Sequence, residues 1–184
     1  MTVPAKILVP IAHGSESLET VALVNVFRRA EFEVTLASIE RDLVVSGTRA
    51  LKLTADKRFF DITDEKFELI VVPGGEKGAA ALTRHAPLVE QLELQNERKK
   101  WLAAICAAPA FVLAPHHLLD RRKATCYPAF KDHLPHWIDQ PVVVDGHIVT
   151  SQGPATALAF ALQLVELLSG AALRRKVAAE MLVA

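Results

Sequence analysis

Residues Trp101–Ala110 read W-L-A-A-I-C-A-A-P-A, and they predict a buried strand that turns sharply into a helix. Leu102–Ile105 is a short apolar run of the kind found in strands buried on both faces. Small residues follow Cys106, and the apolar segment Phe111–Ala114 then predicts the body of a helix. We therefore expect Cys106 at a strand-to-helix corner, the geometry of a nucleophile elbow with Cys in place of Ser.

Such a corner would give the Cys106 thiol an unusual environment. The side chain would project above the sheet, and the first free N–H groups of the helix would point at the sulfur. Those N–H groups and the helix dipole favour the thiolate, so the corner by itself predicts a thiol pKa below the usual value of about 8.5. The alternative is an inert buried cysteine that behaves as a small apolar residue. The corner favours the reactive interpretation.

Strands and helices alternate on both sides of this unit, which predicts a doubly wound α/β sheet. Asp145-Gly146 is a strong signal for a β-hairpin insert. The whole chain, 1–184, is predicted to form a single domain. The pattern predicts strands over Lys6–Ala12, Glu33–Ile39, Phe67–Val72 and Ala124–Tyr127, short strands over Val44–Arg49 and Leu51–Thr54, and helices over Ser17–Ala30, Ala79–Thr83, Leu88–Lys100, Gly153–Leu168 and Ala171–Leu182.

Charge and composition narrow the class of partners. The chain has 21 acidic and 21 basic residues and no net charge, so we expect no nucleic-acid partner. Its two cysteines are too few for a disulfide framework and favour a reduced, cytoplasmic setting. Met1–Ala12 lacks the long apolar core of a signal peptide. Ala155–Leu168 is interrupted by polar residues, so no membrane span is expected either.

The turns after Ala12, Val72 and Ile105 should meet at one edge of the sheet. In such sheets ligands bind at that edge, beyond the carboxyl ends of the strands. Gly74 and Gly75 follow a strand directly, and their N–H groups, with that of Ala107, would form an oxyanion hole opposite the sulfur. The alternative for these glycines is an ordinary turn.

Two acids begin the first predicted helix, Glu16 and Glu19. Both could simply complement the helix dipole. If one instead lies beside Cys106, its buried carboxyl would tend to keep its proton and could donate a hydrogen bond to the sulfur or to an oxidised form of the sulfur. His13 is next to the first turn and would approach the rim of the pocket.

The other histidines form no recognisable metal-binding motif. Their spacings match no zinc signature, so we expect no metal site and assign them surface or packing roles. The residues considered as a cluster are His116, His117, His133, His136 and Cys126.

Five motifs, taken together, resemble the ThiJ/PfpI superfamily. They are H-G-S-E-S-L-E-T, V-V-P-G-G, A-A-I-C-A-A-P, T-C-Y-P and T-S-Q-G-P-A-T, in the family's order and spacing across nearly the whole chain. The resemblance is to the branch that holds the parkinsonism-associated protein deglycase and its bacterial chaperone-like relatives. It implies a flavodoxin-like sandwich with helices on both faces of the sheet, and no cofactor.

The resemblance also assigns residues. It implies that Cys106 is the reactive cysteine, that Glu19 rather than Glu16 is the protonated acid beside it, and that Gly75 and Ala107 supply the backbone donors. Arg49 matches an arginine at the pocket edge. The branch forms homodimers through its first helix, here Ser17–Ala30, which would place Leu18, Asn25 and Arg28 near a two-fold interface.

One residue departs from the family pattern. Many relatives carry a histidine before a proline in the segment where this chain has Tyr127 before Pro128. A phenol with a pKa near 10 cannot replace imidazole as a base at neutral pH. A Cys-His triad and peptidase activity are therefore not expected.

The resemblance implies a glyoxalase or deglycase that acts on methylglyoxal, glyoxal or their early protein adducts. The alternative is a redox-responsive stress protein or chaperone whose Cys106 oxidises to sulfinic acid without essential turnover. A weaker third alternative is hydration of small isonitriles or amides, which other branches of the superfamily carry out.

Overall fold

The computed structural model describes residues 4–183, so the predicted domain 1–184 and the segment Met1–Ala12 extend slightly outside the described residues. Nine strands lie within that range. They are β1 (Lys6–Ile11), β2 (Glu33–Ser38), β3 (Val44–Ser46), β4 (Lys52–Thr54), β5 (Lys57–Arg58), β6 (Leu69–Val72), β7 (Trp101–Ile105), β8 (Val142–Asp145) and β9 (Ile148–Ser151).

Seven of these strands form one sheet in the order β5-β2-β1-β6-β7-β9-β8. All neighbouring pairs are parallel except β8 and β9, which form an antiparallel hairpin at one edge. Gly146 in that turn has a φ of 62°, the left-handed conformation that the Asp-Gly pair predicts. β3 and β4 pair as a separate antiparallel hairpin. The predicted doubly wound, mostly parallel sheet with a hairpin insert is confirmed.

Helices cover both faces of the sheet. They are α1 (Ser17–Arg29), α2 (Glu76–Leu82), α3 (Ala86–Glu97), α4 (Ala157–Ser169) and α5 (Ala171–Glu180). Alternate residues of β1 belong to two separate cores: Ile7 and Val9 pack with α1 and α4, whereas Leu8 packs with α2 and α3. Because both faces of the strand are buried, the central strands read as continuous apolar runs.

The predicted strand over Ala124–Tyr127 is wrong, since this segment makes only one isolated bridge, between Ala124 and Trp137. Its other backbone donors are used elsewhere. The N–H of Thr125 donates to the Thr150 hydroxyl (2.9 Å), and the N–H of Tyr127 donates to the carbonyl of Cys106 (2.9 Å). With these groups occupied, no regular ladder can form along the segment.

The helix predicted over Phe111–Ala114 is a short π-helical turn, Pro109–Leu113, followed by one 3₁₀ turn, Ala114–His116. Among residues 4–183, no helix is both long and apolar enough to cross a bilayer. The turns after β1, β6 and β7 meet around the residue that follows β7, and that edge holds the candidate site.

Candidate active site

Cys106 occupies the predicted corner in a left-handed backbone conformation, with a φ of 63°. β7 ends at the preceding residue, and the helical turn begins shortly after. Its N–H donates to the Ser151 carbonyl (3.0 Å) at the end of β9, and its own carbonyl accepts the N–H of Tyr127 (2.9 Å). A non-glycine residue is strained in this region and stays there only when its surroundings hold it, which these two hydrogen bonds do.

The turn after β6 brings two glycines against this corner. A Cβ on Gly74 would lie 2.5 Å from the Cβ of Cys106, so only glycine fits beside this cysteine. Gly75 has a φ of 87°, and a Cβ there would overlap the carbonyl oxygen of Gly14 and approach the Glu16 nitrogen to 2.7 Å. Both positions therefore require glycine for steric reasons, and the ordinary-turn alternative does not explain this packing.

Two backbone N–H groups point at the sulfur. The amides of Gly75 and Ala107 lie close enough to the Cys106 side chain to lower the pKa of its thiol. They come from different segments, the start of α2 and the turn after β7. Donors that converge on one sulfur can also hold an oxygen attached to the carbon that the sulfur attacks.

Glu19 is completely buried in the first turn of α1. Its Oε2 accepts the N–H of Gly74 at 2.7 Å, while Oε1 has no hydrogen-bond partner among the described residues. Burial raises the pKa of Glu19 from 4.5 to about 7, hydrogen bonds from Gly74 and Cys106 oppose that rise, and the charge of Glu16 adds to it. Of the two candidate acids, Glu19 is the one that the structure places against the sulfur.

The thiol pKa moves in the direction opposite to the one that the corner alone predicts. Burial, and then the charge of Glu19, raise the pKa of Cys106 to about 12 against the effect of the two amides. Because the carboxyl and the thiol perturb each other, their protons leave the site in sequence. Of the two groups, the carboxyl of Glu19 loses its proton first and the thiol keeps its own to higher pH.

Two other predicted pocket residues, Arg49 and His13, have their contacts outside the group at the sulfur. Arg49 is exposed and lines a cleft of about 630 Å³ together with Gly14 and Glu16, whose loop contacts the Gly74-Gly75 turn. The imidazole Nδ1 of His13 accepts the N–H of Ser46 (3.0 Å), which ties His13 to the β3–β4 hairpin rather than to the sulfur.

The backbone of Tyr127 lies beside Cys106, and Tyr127 is 45% exposed. The neighbouring Cys126 is fully buried, and its thiol donates to the Tyr127 carbonyl (3.3 Å). Burial raises the pKa of Cys126 to about 12. The two free cysteines thus differ in access, since Cys106 is only partly buried.

Sequence reasoning missed the role of Ser151, whose carbonyl anchors the Cys106 N–H. Its hydroxyl donates to the Pro141 carbonyl (2.7 Å) and contacts the Thr156 hydroxyl (2.6 Å). The only sequence signal was its place in the T-S-Q-G-P-A-T motif.

Within the part of the chain that the structure describes, no three His, Cys, Asp or Glu side chains are grouped to hold a metal ion.

A cysteine at a strained strand-to-helix corner, a buried acid and two converging amides define a cysteine-centred protein of the doubly wound α/β class. Residues 5–167 match the DJ-1/PfpI family, and the chain belongs to that family. The resemblance drawn from the five motifs is confirmed.

Individual relatives agree with this assignment. Protein dj-1beta of Drosophila melanogaster is 35% identical over 181 residues, 96% of each chain. DJ-1 homolog B of Arabidopsis thaliana is 41% identical over 90% of this chain, but the match spans only 38% of that longer relative. A fission yeast relative, 29% identical over 88% of this chain and 90% of its own length, is named glutathione-independent glyoxalase DJ-1. Oxidized DJ-1 of Toxoplasma gondii superposes with a TM-score of 0.96 at 40% identity, covering 98% of this chain and 99% of the other.

Proposed function

We propose that this protein is a cofactor-free glyoxalase or deglycase that converts methylglyoxal, glyoxal or their early protein adducts to hydroxy acids. The supporting observation is the convergence of the Cys106 sulfur, the buried Glu19 carboxyl and the Gly75 and Ala107 amides at one corner. The name of the fission yeast relative points to the same chemistry.

The first step forms a bond between sulfur and the aldehyde carbon. As Sγ of Cys106 attacks, its proton passes to the carboxylate of Glu19, whose pKa of about 7 suits a base at neutral pH. The aldehyde oxygen becomes an alkoxide, which the amides of Gly75 and Ala107 stabilise. Glu19 returns the proton to this oxygen, and a hemithioacetal results.

The second step moves a proton between two carbons. Glu19 takes the hydrogen from the carbon bound to sulfur while the adjacent carbonyl oxygen gains a proton, which gives an enediol. Glu19 then delivers its proton to the adjacent carbon, and the hydroxyl on the sulfur-bound carbon loses its own proton, so that the hemithioacetal becomes a thioester. Water then hydrolyses the thioester, releasing lactate or glycolate and restoring the thiol. An early adduct enters the same sequence after it releases its free aldehyde.

A lactate assay with methylglyoxal on the wild type, Cys106→Ser and Glu19→Gln tests the proposal directly. We expect lactate from the wild type, none above background from Cys106→Ser, and a rate about 10²-fold to 10⁴-fold lower from Glu19→Gln. Lactate formation by Cys106→Ser at the wild-type rate would disprove it. Tyr127→His asks in addition whether an imidazole at this position increases the rate, because the phenol cannot act as a base near neutral pH.

The second candidate function is redox sensing, which the same geometry supports. A peroxide would oxidise the Cys106 sulfur to sulfenic acid with loss of water, and a second equivalent would give sulfinic acid. Protonated Glu19 and the two amides could hydrogen-bond to the new oxygens. Mass spectrometry after mild peroxide treatment should show two added oxygens on Cys106 and none on the fully buried Cys126; oxidation of both alike would contradict it.

The setting and the assembly are part of the proposal. We propose a cytoplasmic homodimer that contacts its partner through α1, the helix predicted over Ser17–Ala30. The exposed apolar side chains of Leu18 and Val21 support this, as do Asn25 and Arg28, which line a groove on the same helix. Glycated protein is the proposed macromolecular substrate.

A further inference from the structure

Three aromatic rings form a continuous group, and two of them belong to residues whose backbones are bonded to the Cys106 corner. The ring of Tyr127 lies 5.8 Å from that of Phe130, and the ring of Phe130 meets that of Phe111 edge-on at 4.7 Å, centroid to centroid. The exposed imidazole of His133 extends the group at 5.2 Å from Phe111. We call Tyr127, Phe130 and Phe111 the aromatic group.

The backbone connects this group to Cys106 at two points. The Tyr127 N–H donates to the Cys106 carbonyl (2.9 Å), and the Phe111 N–H donates to the carbonyl of Ala107 (2.9 Å), the residue after the nucleophile. The Tyr127 ring also lies 3.5 Å from where a Cβ on Gly153 would be, so glycine leaves this side of the ring uncovered. The bond from Tyr127 to Cys106 is therefore shared, since it is also one of the two bonds that hold the corner.

Part of the aromatic group remains open to solvent. Tyr127 is 45% exposed, and Phe130 and Phe111 are partly buried. An exposed aromatic side chain in a rigid setting can stack on a flat partner without ordering a loop, and such ring pairs prefer tilted or offset contacts. Nothing in the mechanism above uses these rings.

We propose that the aromatic group is a specificity site, which favours substrates that carry a flat apolar group, such as an aryl ring, on the carbonyl carbon next to the aldehyde. Aryl glyoxals are the corresponding class, and the product would be the aryl hydroxy acid. With an imidazole in place of the phenol this surface would be smaller and more polar. This inference rests on the proposed function for the reaction, but the surface can be tested without turnover.

The test of the surface uses two alkylating reagents of equal chemistry. Iodoacetamide and its N-phenyl derivative, iodoacetanilide, both form a thioether with Cys106 and release iodide. The ratio of their rates, divided by the same ratio for glutathione, isolates the contribution of the protein. We expect iodoacetanilide to be favoured by about threefold to tenfold in the wild type, the range that one aromatic contact supplies.

Variants of Tyr127 test whether its ring is the source of the preference for iodoacetanilide. Tyr127→Phe should keep it, since the ring remains, whereas Tyr127→Ala should bring the ratio close to that of glutathione and Tyr127→His should lie between them. Phe60→Ala is the matched control, because Phe60 is 83% exposed on the turn after the edge strand β5 and should leave the ratio unchanged. Equal ratios in the wild type and Tyr127→Ala, with both folded by circular dichroism, would overturn the proposal.

A comparison of turnover with two substrates tests this inference separately from the proposed function. The ratio of kcat/KM for phenylglyoxal to that for methylglyoxal, from initial rates of mandelate and lactate formation, should fall by about threefold to tenfold in Tyr127→Ala. An unchanged ratio in an active enzyme would contradict the specificity site alone. No turnover of either substrate, with the alkylation preference intact, would contradict the proposed function and leave the aromatic surface standing.

Discussion

The Oε2 of Glu19 accepts a hydrogen bond of 2.7 Å from the N–H of Gly74, a residue 55 positions away in the chain. This bond joins the first turn of α1 to the turn after β6, directly beside the Cys106 side chain. It fixes the direction of a carboxyl whose other oxygen is buried without a partner among the described residues. Glu19 is thus oriented for chemistry at the sulfur, and the balance of its protonation governs several measurable properties.

Substitution of the two cysteines should affect the activity differently. Cys106→Ala is expected to reduce lactate formation to the uncatalysed level, because the attacking atom is lost. Cys126→Ala should keep the activity and lower the free energy of unfolding by only about 1 kcal/mol, since it removes one small buried group. Lactate assays and urea unfolding on both variants check this, and loss of activity in Cys126→Ala alone would contradict the assignment of the nucleophile.

The pH dependence of kcat/KM should show an acid limb with a midpoint near the pKa of Glu19, about 7. Below that pH the carboxyl is protonated and cannot accept the thiol proton, so the rate should fall tenfold per pH unit. Glu19→Gln should lower the rate by about 10²-fold to 10⁴-fold and remove the limb.

Glu16→Gln is the matched control for this profile. Glu16 adds to the pKa of Glu19 only through its charge, so the variant should keep the limb and shift it to slightly lower pH. A flat profile in the wild type between pH 5 and pH 8 would show that Glu19 is not the base.

The raised pKa of Glu19 should also make folding depend on pH. The folded protein holds this proton up to about pH 7, whereas the unfolded chain loses it near pH 4.5, so stability contributed by the neutral acid is lost as the pH rises through that window. The resulting penalty above pH 7 is about 3 kcal/mol. Glu19→Gln, which cannot ionise, should therefore be more stable than the wild type at pH 8 by up to about 3 kcal/mol and equally stable at pH 4, as measured by urea unfolding. A constant difference at both pH values would contradict the shift.

Two glycines in the same backbone conformation allow a steric test of the site. Gly75 and Gly170 both have a φ of 87°, but a Cβ on Gly75 would overlap the Gly14 carbonyl, whereas none of the described atoms lies within 4 Å of one on Gly170. Gly170→Ala should lower the free energy of unfolding by about 1 kcal/mol and keep the activity. Gly75→Ala should lower it by about 3 kcal/mol and abolish lactate formation, because both strain and overlap apply. Equal effects of the two changes on unfolding would show that the close approach is not required.

The proposed dimer can be tested on α1. Leu18 is 56% exposed and Val21 is 49% exposed, and an apolar pair of this kind is typical of a buried interface. Leu18→Glu should convert the dimer to a monomer, as measured by light scattering after size exclusion. The control Leu94→Glu alters a partly exposed apolar residue on α3, across the sheet, and should leave the dimer intact. A monomeric wild type at tens of micromolar would exclude this interface.

Much of the site could be predicted because its signals are local. The run Leu102–Ile105 followed by small residues predicts the corner at Cys106, and two glycines directly after a strand predict exposed backbone donors. The strand predicted over Ala124–Tyr127 failed for the opposite reason. There a hydroxyl from Thr150 and a carbonyl from Cys106 take the backbone donors, and both come from distant parts of the chain.

The amino-acid sequence by itself determined the alternating sheet, the position of Cys106 at the corner and the need for small residues around it, because these follow from periodicity and from the space that a turn allows. The local pattern left Glu16 and Glu19 open and the motif resemblance favoured Glu19, whereas only the tertiary structure decided that the thiol pKa rises rather than falls. The physical reason is that desolvation depends on every group packed around an ionisable side chain, and those groups come together only when distant segments fold against one another.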